Sequence, residues 1–68
     1  MPNKTYKKVE LVGVSDQGIS EAVQNAIAKS TETIRHVDWF EVSEIRGYVD
    51  KGVPVFQVVV KVGFRLDS

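Results

Sequence analysis

The 68-residue chain contains no cysteine, which excludes disulfides, thiolate metal sites and thiol nucleophiles together. It also lacks an excess of charge, since nine Lys and Arg balance nine Asp and Glu. Such a surface does not neutralise the run of phosphates presented by a nucleic acid, nor is it drawn to an anionic membrane. Long apolar runs are missing too. No stretch approaches the roughly 18 continuous apolar residues of a membrane span, and Met1-Pro2-Asn3-Lys4 has no apolar h-region. The expectation is a soluble, cytoplasmic protein with neither nucleic acid nor membrane as partner. Gly-rich nucleotide loops, nucleophile elbows and metal-ligand clusters are likewise absent from the sequence.

What remains is small. A single domain, residues 1–68, buries only about 60% of its unfolded surface, so one core supplies about 3–5 kcal/mol unless a staple is added. With cysteine and metal clusters gone, the expected staple is oligomerisation.

Along the chain, Thr5 to Val14 reads as a strand, with Val9 and Leu11 on one face and Tyr6, Lys8, Glu10 and Val12 on the other. Ser15-Asp16-Gln17-Gly18 is a turn into a helix, where Asp16 and Glu21 suit the positive end of the macrodipole and Ser15 or Ser20 is placed to cap. From Ile19 to Ile34, the residues Ile19, Ala22, Val23, Ala26, Ile27 and Ile34 form one stripe of a 3.6-residue period. Asp50-Lys51-Gly52 supplies hairpin residues, and the following segment has the cleanest alternation. Phe56, Val58, Val60, Val62, Phe64 and Leu66 face the core; Val55, Gln57, Val59, Lys61, Gly63 and Arg65 face outward. This is a β-α-β-β chain of the α+β class. Its last strand of 13 residues spans roughly 43 Å and its 16-residue helix roughly 24 Å. One helix does not cover such a strand, so either the sheet curls or its ends pack on other subunits.

The strand beginning at His36-Val37-Asp38-Trp39-Phe40 carries the only tryptophan. Adjacent strand residues point to opposite faces, so one of Trp39 and Phe40 leaves the core. Phe40 and Val42 share a face, yet the next apolar residue is Ile45 rather than position 44. That break in parity predicts a β-bulge near Ser43-Glu44. It turns Phe40, Val42 and Ile45 toward the helix, with Phe40 packing in the core, and puts Trp39, Glu41, Arg46 and Tyr48 outside. The outer face then gathers Trp39, Arg46, Tyr48, Gln57, Lys61 and Arg65. A flat electron-rich ring, an amide and guanidinium groups suit an aromatic heterocycle with an imide-like edge and an anionic tail, but on spacing alone a subunit interface built from the same residues is the favoured reading. His36 has no serine or cysteine partner at a catalytic spacing and reads as a helix-end dipole contact; Glu41 and Glu44 read as solvated strand charges. No catalytic residue is expected.

The segments Tyr6-Lys7-Lys8-Val9-Glu10-Leu11-Val12-Gly13, His36-Val37-Asp38-Trp39-Phe40-Glu41-Val42, Glu44-Ile45-Arg46-Gly47, Phe56-Gln57-Val58 and Val62-Gly63-Phe64-Arg65-Leu66 resemble the dodecin family, in order and over nearly the whole chain. The resemblance implies a three-stranded antiparallel sheet wrapped around one helix, twelve copies in a hollow shell, and a flavin (FMN, riboflavin or FAD) as ligand. By the same resemblance, Trp39 stacks on the isoalloxazine ring, two flavins lie between symmetry-related tryptophans, Gln57 bonds the pyrimidine edge, and Arg46 and Arg65 are basic positions near the ligand. The implied role is non-enzymatic flavin storage and photoprotection. The alternative is an oligomeric scaffold or a small nucleic-acid-binding module that uses exposed sheet aromatics.

Overall fold

The computed structural model describes residues 3–66; Met1 and Pro2, on which the expectation of a chain without a leader partly rests, lie outside them. Strand β1 (Tyr6–Ser15) leads into helix α1 (Ile19–Thr31), followed by β2 (Val37–Asp50) and β3 (Val53–Arg65). The sheet is antiparallel in the order β1-β3-β2, which gives the expected β-α-β-β architecture of the α+β class. The strand with the strict alternation is thus the central one, paired on both edges. Lys51 and Gly52 have φ of 52° and 81°, the two positive values that a two-residue hairpin needs to match the twist of its strands. Pro54 stands where β3 has only β2 beside it, because pairing with β1 stops at Phe56.

Helix α1 ends three residues before the expected Ile34. Ser30 and Thr31 turn their hydroxyls back onto the carbonyls of Ile27 and Ala28, at 2.8 and 3.0 Å, competing with the next helical turn. The amides of Glu32 and Thr33 then bond three residues back, and the helix tightens and stops. At the other end Ser15 does not cap the helix. Its Oγ accepts the Gln17 amide at 2.9 Å, while Gly18 takes the N-cap position with no side-chain cap.

The core is the contact of α1 with the middle of β3. Ala22, Ala26, Val58, Val60 and Val62 are buried, with Val9, Leu11, Val23, Ile27 and Val37 against them. Each of the three valines contributes about 1.5–3 kcal/mol by leaving water. The helix lies especially close to β1 at Gly13, where a Cβ would meet the Ala22 carbonyl. Phe56 and Phe64 are half-buried, and Leu66, expected in the core, follows the end of β3 and is exposed. Val59 departs the other way: it faces outward, yet is buried between the two flanking strands.

The main correction concerns β2. Phe40, Val42 and Ile45 pair with Val62, Val60 and Val58 and so share the helix side of the sheet, but α1 lies over β1 and β3 and touches β2 only marginally. Phe40 is therefore 51% exposed and Ile45 54% exposed instead of packed in the core. An apolar groove of about 550 Å³ runs between Phe40 and the Val23, Ile27 and Ala28 side of the helix. The whole molecule is correspondingly long, 53 × 20 × 14 Å with a radius of gyration of 14.1 Å, against about 11 Å for a compact chain of this length.

Candidate functional site

Two irregularities in β2 decide what the outer sheet face carries. The register shifts between Val42 and Glu44, which is the expected bulge at Ser43; the Ser43 hydroxyl donates to the Val59 carbonyl at 3.4 Å. A second shift, between Val37 and Trp39, places a bulge at Asp38 that the sequence reading lacked. It lets Val37 turn into the core while Trp39, two residues later, turns out. The same face carries Trp39 opposite Gly63, Glu41 opposite Lys61, Arg46 opposite Gln57 and Tyr48 opposite Val55.

Trp39 lies flat on β3 because Gly63 leaves it room: a Cβ at position 63 would collide with the indole carbons Cδ2, Cε2 and Cζ2. One side of the ring is thus seated on backbone, and the residue remains 39% exposed. Tyr6, from the far strand, approaches its edge with ring centroids 6.2 Å apart and planes tilted by 51°. The Tyr6 hydroxyl donates to Asp38 Oδ2 at 3.0 Å. This bond to the carboxylate, reinforced by partial loss of water and the negative charge itself, raises the phenol above its ordinary value of 10.0. Arg65 stands 4.0 Å from the same carboxylate oxygen and donates through Nη2 to His36 Nδ1 at 3.0 Å. His36 itself adopts φ 62° in the turn before β2, away from the helix end for which it was read.

Farther along the face, Arg46 donates through Nε to Gln57 Oε1 at 3.0 Å and pairs with Glu44 at 3.0 Å. The guanidinium and the amide expected to act together are in direct contact. Between the two clusters Lys8 binds Glu41 at 2.9 Å, and that contact draws the Glu41 carboxyl below its usual 4.5, with Lys61 adding to the effect.

The four residues singled out in sequence fall into two groups. Trp39 and Arg65 are at one end, since Arg65 is two positions beyond Gly63, about 7 Å along the strand. Gln57 and Arg46 are at the other, six positions from Gly63, or about 20 Å. Tyr6, Asp38 and Gly63 belong to the first group and were missed. A glycine within an otherwise regular alternating strand, directly across from the only tryptophan once the register is known, is the signal that could have found the last of them.

Comparison with known proteins places this geometry in a family. The dodecin family model matches residues 5–67. A curated dodecin from Thermus thermophilus is 57% identical over 66 residues, covering 96% of either chain. The crystal structure of the tt0972 protein from Thermus thermophilus superposes with a TM-score of 0.91 at 55% identity, over 97% of this chain and 98% of that one. The dodecin of Streptomyces coelicolor gives a TM-score of 0.92 at 43% identity, over 100% and 99%. The chain belongs to the dodecin family.

Proposed function

We propose that this protein binds flavins without turning them over, and that it stores and shields FMN, riboflavin or FAD in a cytoplasmic homododecameric shell. The observation that carries the reading is the seating of Trp39: the indole lies against Gly63 and the residue remains 39% exposed, which leaves ring surface for a flat ligand. Family membership supports it.

In this reading, the flavin supplies a planar, light-absorbing electron acceptor. Trp39 stacks on it, gives an electron to the photoexcited ring and takes it back, which ends both fluorescence and photochemistry. Gln57 and Arg46 are held to each other and ready to meet a polar ring edge and an anionic tail. At about 20 Å from Gly63, they are assigned in this reading to the ring stacked on a neighbouring copy's Trp39. Flavin pairs between symmetry-related tryptophans complete the site, so binding and assembly are coupled. The uncovered apolar side of β2 supports assembly of this kind, because Phe40, Val42 and Ile45 gain cover only from another chain.

The test is a fluorescence titration of FMN, riboflavin and FAD with the purified protein, alongside the native mass of the complex. Strong quenching at micromolar protein that is mostly lost in Trp39→Ala is the expected result. Unaltered flavin emission, or a monomer that quenches fully, would overturn the reading.

A further inference from the structure

The open face of Trp39 is the surface read above as meeting flavin, but its edge contact with Tyr6 has no role in stacking. The ring separation of 6.2 Å lies within the range of about 4.5–7 Å for interacting aromatic pairs. Across from Trp39, the phenol hydroxyl is not solvated alone; it is bonded to Asp38 Oδ2 at 3.0 Å, within reach for proton transfer. Arg65 stands 4.0 Å from that oxygen, a loose ion pair with the carboxylate. The other tyrosine, Tyr48, pairs with Val55, eight positions from Gly63 along β3, or about 26 Å away.

An indole that has lost one electron is a strong oxidant. A phenol refills it readily only if its proton leaves with the electron, because a protonated phenol radical is a very strong acid. Tyr6 has an acceptor waiting for that proton.

We propose that Tyr6 and Asp38 form a proton-coupled electron donor that refills Trp39 after its one-electron oxidation. Tyr6 passes one electron to the Trp39 radical cation and its hydroxyl proton to Asp38 Oδ2. The products are neutral Trp39, a neutral Tyr6 phenoxyl radical and a protonated Asp38. The one-electron-reduced oxidant gives its electron back to the Tyr6 phenoxyl radical, and with the proton moving back from Asp38 this restores the starting state. The identity of the cellular oxidant, a photoexcited flavin, rests on the proposed function; the transfer between the side chains does not. Its value to a flavin store is that oxidising equivalents left on the indole move one ring away from the ligand, and the indole is spared irreversible damage.

The test uses the full ligand-free chain and azidyl radical as the one-electron oxidant, generated by pulse radiolysis, so that failure here is separate from failure to bind flavin. Decay of the indole radical-cation absorption should be matched by growth of the phenoxyl band, at a rate independent of protein concentration and slower in deuterium oxide. Tyr6→Phe should lose that growth, Asp38→Asn should slow it, and Tyr48→Phe should leave it unaltered, each in protein whose circular dichroism and native mass match the parent. Decay of the indole radical cation without phenoxyl growth in the parent protein, growth that survives Tyr6→Phe, or a rate unmoved by Asp38→Asn would overturn the proposal.

Discussion

Replacing Gly63 by alanine separates two opposite expectations. In a strand interior, alanine is ordinarily better than glycine by about 0.5–1 kcal/mol, because the unfolded chain loses less freedom. At this position the new methyl would sit 2.6 Å from Trp39 Cδ2 and closer still to Cε2 and Cζ2. Carbon atoms rest about 3.5–4.0 Å apart, so the indole must lift by about 1 Å or more across its width. A gap of that size forfeits about a quarter to a half of each dispersion contact beneath the ring, and tilts the edge away from Tyr6, a contact worth about 0.5–1.5 kcal/mol. The net expectation is a loss of about 1–3 kcal/mol, typical of overpacking. Because the ligand-facing side of the indole moves by the same amount, flavin binding should weaken by a stacking increment of about 1–3 kcal/mol, or about 5- to 150-fold. Trp39 is the only tryptophan, so its emission reports the displacement without interference. Denaturant unfolding and flavin titration of the variant supply the two energies. A Gly63→Ala protein as stable as the parent, with unaltered tryptophan emission and flavin affinity, would refute the seating of the ring on β3.

Three further outcomes follow from other contacts. The Glu41 carboxyl is drawn down by Lys8, so its contribution to stability is present above the ordinary carboxyl value and disappears as pH falls through the lowered one; thermal melts below pH 4.5 should show a steeper acid loss in the parent than in Glu41→Gln. Tyr6 is shifted in the opposite sense: its stabilisation is complete below pH 10.0 and is lost as pH rises through the raised value. Phenolate absorbance should therefore titrate above the ordinary phenol range, and Asp38→Asn should bring it back down. Gly13→Ala places a Cβ against the Ala22 carbonyl of the helix backbone, which no side-chain rotation relieves, and should cost about 3 kcal/mol by denaturant unfolding, at the upper end for overpacking.

Much of the fold is legible because the helix covers the Val58, Val60 and Val62 side of the central strand β3, and the alternation of that strand follows from it. The bulge at Ser43 is legible for a related reason, since Phe40, Val42 and Ile45 violate period two and only an extra residue reconciles them. The bulge at Asp38 is not, because Val37 and Trp39 are both apolar and a regular strand places them together without conflict. Periodicity also reports which side a residue faces, not whether anything covers it. Phe40 faces the helix side as expected, yet the helix is too narrow to reach it. Ile34 fits the helical stripe, but Ser30 and Thr31 satisfy carbonyls that the next turn would have used. Trp39, Gln57, Arg46 and Arg65 could be placed on one face by parity together with the bulge at Ser43, without which Arg46 falls on the opposite side. Their division into two groups requires the pairing of Gly63 with Trp39 and of Gln57 with Arg46, and the Tyr6–Asp38 contact spans three strands whose register no local pattern fixes.

The paired bulges of β2 have a consequence for how such a surface can vary. Each takes up one extra residue, Asp38 between Val37 and Trp39 and Ser43 between Val42 and Glu44, so the residues on either side keep consecutive partners on β3. Removing Ser43 would leave Val42 opposite Val60 and Glu44 opposite Val59, so Arg46 would stay beside Gln57 on the side of Trp39; removing Asp38 would likewise leave Val37 turned in and Trp39 turned out. The strand is in effect divided into separately adjustable lengths. Each bulge is therefore a point where the strand can lose its extra residue while the stacking ring, the polar groups and the valine core behind them keep their sides.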